Sequence, residues 1–311
     1  MAVYTEVSAE EAGRFLAARG IGPLEALEPI GQGIENTNYR VRAGGRGYVL
    51  TLLERETLDR ARETMALARE LARRGVPCPE PVEGPEGLVG TLAGRPAVVV
   101  PWVEGEMDLR PRPERLEALG RCLGRLHRQG QGLGVSRQGP QVAAELAELA
   151  RAVAAALEPA RPEVAALLRD EAAFQEGVPE DAVPWGLVHG DLFLDNVLFE
   201  PGGPEVRAVL DLHMAGRGPL PYDPAVTILD AAWAEQGPDP DRVWALLRGY
   251  NGEAPAALDP AALGPWLRRA ALRFLCLRIE RAWLPGRAMV AGTPKDPVEF
   301  QRKLEALRCG P

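Results

Sequence analysis

The chain has 311 residues, 46% of them apolar and 26% charged, with a net charge of −8. That length and apolar share fit one or two ordinary globular domains with ample core, and an acidic balance without a basic stripe argues against nucleic acid as a partner. No apolar run approaches the ~20 residues of a membrane helix; the scattered cysteines Cys78, Cys122, Cys276 and Cys309 form no CxxC pair, and with no signal peptide recognised this reads as a reducing cytoplasm.

In chain order, Ser8 with Glu11 three residues on reads as a capping box, opening a short helix over 10–19 that Gly20 stops. Residues 38–42 alternate as a strand, Gly44-Gly45 turns the chain, and 48–53 is the next strand. Ahead of them, Gly31-Gln32-Gly33 can lay backbone N–H groups, with Asn36, over phosphates, because glycine permits close approach. No helix follows it as in a dinucleotide fingerprint, and Gly-Lys-Ser/Thr is absent; alone, the pattern equally fits a hairpin turn. Residues 57–74 form a helix with Leu58, Ala61, Met65, Ala68 and Leu71 on one face, ended by Gly75 and by Pro77, Pro79 and Pro81. Strands at 87–92 and 95–100, turned by Ala93-Gly94, complete a mostly antiparallel first hundred residues.

From Pro113 onward the periodicity is helical. Leu116, Leu119, Leu123 and Leu126 form a stripe closed by His127, which reads as a structural residue; further helices fall at 141–157, 161–174, 241–250, 265–283 and 298–308. Asp223-Pro224 reads as the N-cap and first position of a helix running to about residue 233.

Between these helices lies Leu187-Val188-His189-Gly190-Asp191-Leu192-Phe193-Leu194-Asp195-Asn196-Val197-Leu198-Phe199. A strand over 196–199, the turn Glu200-Pro201-Gly202-Gly203-Pro204-Glu205 and a strand over 206–210 predict a hairpin. Asn196 opens its first strand and Asp211 closes its second, so both fall at the open end beside Asp191. Two carboxylates and a carboxamide are hard oxygen ligands of the kind Mg²⁺ takes when it also holds substrate phosphates.

The order His189-x-Asp191-x-x-x-x-Asn196, hairpin, Asp211 resembles the catalytic loop and metal site of the protein-kinase-like fold. Within it, the order is similar to the aminoglycoside phosphotransferase and choline kinase group, where a small molecule receives the phosphate. The resemblance implies an α+β bilobal fold: an antiparallel-sheet N-lobe with one main helix over 1–100, a hinge over 101–106, and a mostly helical C-lobe over 107–311. It implies Asp191 as the base facing the acceptor hydroxyl, Asn196 and Asp211 as Mg²⁺ ligands, and ATP as donor. Gly31, Gly33 and Asn36 would then cover the phosphates, and the hinge at Trp102 and Val103 would face adenine, although Trp102 equally fits core packing. Thr51 stands where the wider pattern has Lys, which leaves Arg55 or Arg95 as the substitute cation and Glu70 without its usual partner.

A narrower resemblance, to bacterial homoserine kinases of this type, covers nearly the whole chain. It rests on Met1-Ala2-Val3-Tyr4-Thr5-Glu6-Val7-Ser8, Gly33-Ile34-Glu35-Asn36-Thr37-Asn38-Tyr39, Tyr48-Val49-Leu50-Thr51-Leu52, the run from Leu71 to Pro79, Leu92-Ala93-Gly94-Arg95-Pro96-Ala97, Leu272-Arg273-Phe274 and Lys295-Asp296-Pro297-Val298-Glu299-Phe300. In that branch the strand also carries Leu-Thr-Leu. The implied reaction is phosphorylation of L-homoserine by ATP, on the route to threonine. Asp211-Leu212-His213-Met214-Ala215 and Leu229-Asp230-Ala231 depart from the branch, so an aminoglycoside or another small alcohol stays open as acceptor. Homoserine is a zwitterion, wanting an Arg fork for its carboxylate and a carboxylate for its ammonium; Arg273 and Asp230 are the candidates, and each also fits an ion pair between helices. Two readings of other classes remain: a non-catalytic nucleotide-binding module, because of Thr51, and a non-haem iron site from His189, Asp191 and His213, which would need a β-rich barrel where the flanks here are helical.

Overall fold

The computed structural model describes residues 4–31, 36–135, 137, 142–284 and 295–309. These residues fall into two compact units that divide between Gly105 and Glu106.

The first unit opens with α1 (Ala9–Ala17), capped as its sequence dictates: the Ser8 hydroxyl accepts the Glu11 N–H and the Glu11 carboxylate accepts the Ser8 N–H. Then come β1 (Leu24–Pro29), β2 (Thr37–Ala43), β3 (Arg46–Leu52), α2 (Leu58–Arg73), β4 (Gly90–Leu92) and β5 (Arg95–Pro101), the strands forming an antiparallel sheet in the order β1-β2-β3-β5-β4. Strand side chains alternate between faces. Ala97 and Val99 of β5 join Phe15 and Leu16 of α1, while Val98 joins Ala61 of α2, so the helices cover opposite faces. β1 carries no strand signature of its own; Leu-Glu-Ala-Leu-Glu-Pro is half-exposed and held at the sheet edge by β2.

The second unit contains α3 (Pro113–Gln129), α4 (Ala143–Leu157), α5 (Pro162–Glu176), β6 (Trp185–Val188), β7 (Val197–Phe199), β8 (Val206–Val209), β9 (Gly216–Pro219), α6 (Tyr222–Ala231), α7 (Pro240–Glu253), α8 (Gly264–Ala282) and α9 (Pro297–Cys309). The β7–β8 pair is the hairpin that the Pro/Gly turn predicts, and β6 pairs with β9 around it. α3 and α7 approach so closely that a Cβ on Gly120 or Gly249 would overlap the carbonyl of Leu246 or Glu117, and one on Gly124 would lie 2.6 Å from the Tyr250 carbonyl. That approach brings the end of α3 against Tyr250. Phe193 packs T-shaped against Phe274 (centroids 4.6 Å apart) and Phe300, which are tilted to one another, joining the segment before β7 to α8 and α9. Among the described residues no helix is long and apolar enough to cross a membrane.

Candidate active site

The register Val197↔Val209 places Asn196 beside Leu210, whose N–H donates to the Asn196 carbonyl over 2.9 Å. Neither predicted ligand belongs to a strand. Leu194–Asn196 is a single 3-10 turn, and Asp211 leaves β8 in the left-handed region at φ 62°, ψ 74°. Aspartate tolerates that region better than most residues, at a cost on the order of 1 kcal/mol. Both residues therefore lie at the open end of the hairpin, outside its pleat.

The segment leading into this turn is fixed from several sides. Nε2–H of His189 donates to the Leu210 carbonyl (2.9 Å) and Nδ1 accepts the Asp191 N–H (3.2 Å). Both ring nitrogens are thereby used, and no lone pair remains for a metal. Among the described residues no group of three His, Cys, Asp or Glu side chains is placed to hold a metal ion, so the iron reading has no ligand set. Gly190 sits at φ 80°, where a Cβ would meet the Met214 carbonyl at 2.7 Å; this position needs glycine both for its backbone angle and for space.

Asp191 is half-buried, and its carboxylate makes no hydrogen bond with any described residue. Burial pushes its pKa up to about 6, against the pull of the Arg273, His189 and His213 charges and with a small push from Asp211. The Asn196 carboxamide donates from Nδ2 to the Asp191 carbonyl over 2.9 Å, which leaves its oxygen unbonded among the described residues. Asp211 uses one carboxylate oxygen on His213, ring and backbone, and the other makes no hydrogen bond there. Burial works against the charge on Asp211, but His213, through its ring and its N–H, and the His189 charge together hold the carboxyl below the usual range. Each thus offers a hard oxygen without a donor among the described residues, one neutral and one anionic, of the kind that fits Mg²⁺ bound mainly by substrate phosphates.

Asp223 is the hub beneath this loop. It accepts the His189 N–H (2.6 Å), the Gly190 N–H (2.8 Å) and Nε2–H of His127 (3.0 Å), while Nδ1 of His127 accepts the Tyr250 hydroxyl (2.8 Å). The three side chains of this network, Asp223, His127 and Tyr250, are all fully buried. Burial opposes the Asp223 charge, and His127, His189 and the Gly190 amide together pull its pKa below the usual range. This corrects the N-cap expectation: α6 begins two residues earlier, at Tyr222 with Pro221 as its N-cap, and the Asp223 carboxylate is turned to the loop instead of the helix end. His127 is structural, as its apolar stripe implies, but its partner lies 96 residues away and nothing local announces it.

The remaining candidates are distributed as follows. Arg273 is 1% exposed and sealed behind the loop; Nη1 donates to the Gly190 carbonyl (2.8 Å) and the Tyr222 hydroxyl (3.0 Å), and Nη2 is buried without a hydrogen bond. Asp230 accepts the Leu194 N–H at 2.7 Å, and burial raises its pKa. In the first unit, Gly31 follows β1, the Asn36 side-chain oxygen accepts the Glu54 N–H (3.2 Å), and Gly33 lies outside the described residues. Thr51 donates across the sheet to Asn38 (2.7 Å), Arg95 is tied to Glu54 (3.3 Å), and Arg55 is exposed. The Trp102 N–H donates to the Gly47 carbonyl (3.0 Å) and its ring lies on Gly47 with the Arg40 guanidinium 4.4 Å above it, which is packing; Val103 follows, half-buried. Sequence reasoning missed Arg137, which donates to the Leu212 and Ala215 carbonyls and clamps the segment after Asp211.

Residues 26–270 match the model of the phosphotransferase enzyme family (APH), and the chain belongs to that family. It is 36% identical over 312 residues to the homoserine kinase of Rhodopseudomonas palustris strain BisB18, covering 98% of this chain and 94% of that protein. It is 36% identical over 318 residues to the homoserine kinase of Azorhizobium caulinodans, covering 99% and 97%. Among solved structures it is similar to amicoumacin kinase in complex with AMP-PNP, Ca²⁺ and Ami (TM-score 0.69, 17% identity, 98% of this chain and 95% of that one). It is also similar to the choline kinase LicA of Streptococcus pneumoniae (TM-score 0.66, 12% identity, 92% and 94%). The fold is therefore the α+β, protein-kinase-like fold of small-molecule phosphotransferases.

Proposed function

We propose that this chain is a homoserine kinase, moving the γ-phosphoryl group of ATP to the side-chain hydroxyl of L-homoserine to give O-phospho-L-homoserine and ADP, on the route to threonine. The near full-length likeness to homoserine kinases supports the acceptor. The observation that carries the chemistry is Asp191: a half-buried carboxylate with no hydrogen bond among the described residues, its pKa raised by burial to about 6, in the same loop as Asn196. A general base works best with its pKa near the operating pH and its oxygens open to the substrate proton.

In the reaction Asp191 accepts the proton of the acceptor hydroxyl as that oxygen attacks the γ-phosphorus and the bond to the β–γ bridging oxygen breaks. Asn196 Oδ1 and Asp211 would hold Mg²⁺, which when bound offsets charge on the phosphates. Backbone groups from Gly31 through Gly33 to Asn36 would cover the phosphates. At adenine the Trp102 backbone N–H is already donated to the Gly47 carbonyl, whereas the Val103 backbone makes no hydrogen bond among the described residues. Of the two groups matched to the charges of homoserine, Asp230 keeps one oxygen unbonded among the described residues, whereas Arg273 is closed off behind Gly190. Four free cysteines support a cytoplasmic setting.

Phosphorus NMR of wild-type protein with Mg-ATP and an acceptor panel tests the reading. A phosphomonoester resonance with L-homoserine is expected. Product only with choline or an aminoglycoside would move the acceptor elsewhere.

A further inference from the structure

Residues three and four apart on a helix lie above one another, so α6 carries Asp223, Thr227 and Asp230 on a single face. Each meets the loop at a successive step: Asp223 takes the amides of His189 and Gly190, the Thr227 hydroxyl donates to the Leu192 carbonyl over 3.1 Å, and Asp230 takes the Leu194 N–H over 2.7 Å. Thr227 is 1% exposed. Between Asp191 and Asn196 the backbone follows no helix or sheet ladder until the 3-10 turn at Leu194. Within the segment the Phe193 N–H and Asn196 Nδ2 both donate to the Asp191 carbonyl (2.9 Å each), and α6 holds it from outside at Leu192 and Leu194.

We propose that Thr227 and Asp230 are positioning residues that set the spacing between the Asp191 carboxylate and the Asn196 carboxamide, with Asp230 acting through the Leu194 N–H and not as a ligand of the acceptor. This rests on the roles given to Asp191 and Asn196 above. Leu194 N–H is the first donor of the turn; a part-buried donor left unpaired costs about 1–3 kcal/mol, so the turn shifts to find a new partner. Displacement of about 1 Å in a reacting geometry can cost ~10²-fold in rate.

The test uses the full chain carrying Asp230→Asn, Asp230→Ala, Thr227→Ser or Thr227→Val, with kcat and both KM values measured and Mg-ADP binding checked by calorimetry. Asn and Ser keep the hydrogen bond; Ala and Val remove it. The expected result is kcat within about fivefold of wild type for Asn and Ser and a loss of ~10²-fold for Ala and Val, with acceptor KM within about threefold throughout. A rise of about tenfold or more in acceptor KM for Asp230→Asn would overturn the proposal and assign the charge to the acceptor ammonium. Wild-type kcat in Asp230→Ala and Thr227→Val would overturn it as well. If Asp230→Ala fails to fold, the Thr227 pair and the Asn variant decide. The series is read on whichever alcohol the wild type phosphorylates, and Asp191→Asn is assayed alongside, so a wrong acceptor or a wrong base shows separately.

Discussion

The backbone N–H of His189 donates to the Asp223 carboxylate over 2.6 Å, and Gly190 and His127 donate to the same group. A fully buried anion with three donors is stable only as a set. Asp223→Asn removes the charge and points amide hydrogens at donors, so it should cost about 2–4 kcal/mol of unfolding free energy and at least ~10²-fold in kcat. Urea denaturation and steady-state rates check this; a loss under about 1 kcal/mol would show that the hub is not carrying the loop.

Gly190→Ala asks the backbone to hold φ 80° with a Cβ 2.7 Å from the Met214 carbonyl. The obstacle is main chain, so a flexible side chain cannot give way. Displacement of Asp191, the next residue, should lower kcat by ~10²-fold or more, with a fall in Tm of several degrees. Thermal melting and kcat on the same preparation measure both.

How far these relationships could be read beforehand depends on their range. The β7–β8 hairpin announces itself through Pro201-Gly202-Gly203-Pro204, and α2 and α3 through apolar stripes. β9, Gly216-Arg217-Gly218-Pro219, has no strand-forming side chains and exists because β6 pairs with it; β1 likewise borrows its order from β2. The site divides the same way. Asp191, Asn196 and Asp211 stand out as candidates because all three flank one hairpin whose turn is written in the sequence. The Asp223 partners, His127 on α3 and the loop amides, come from elements 96 and 34 residues away in the chain, and an Asp-Pro pair at a helix start offers a local explanation that tertiary geometry displaces. Thr227 and Asp230 did leave a trace, at four and seven residues from Asp223, but that spacing acquires meaning only once the loop is known to lie along the helix.

The Asp191 carboxyl, raised by burial to about 6, makes two pH predictions. As the proposed base, Asp191 must be ionised, so kcat/KM measured well below both KM values should fall as pH drops through about 6. For stability, the folded value lies above the ~3.9 of an unfolded aspartate, so ionisation opposes folding; the cost is absent below about pH 4, grows between, and is complete above about pH 6. Asp191→Asn removes it and should be more stable than wild type by about 3 kcal/mol at about pH 8 and equal to it at about pH 3.5. Denaturant titrations of the ligand-free pair at the two pH values measure the difference.

Asp211→Asn keeps a side chain that tolerates the left-handed conformation at φ 62° while removing the anionic oxygen. The Mg²⁺ concentration for half-maximal activity should rise by about tenfold or more, with acceptor KM near wild type. Mg²⁺ titration of activity at fixed ATP checks it; an unchanged Mg²⁺ requirement would take Asp211 out of the cation site.

The most direct test of the account is turnover of L-homoserine by Asp191→Asn beside its affinity for Mg-ADP. A base that touches only the acceptor hydroxyl predicts a fall in kcat of at least ~10³-fold with Mg-ADP affinity within about twofold of wild type. Turnover within about tenfold of wild type, with nucleotide binding intact, would contradict it.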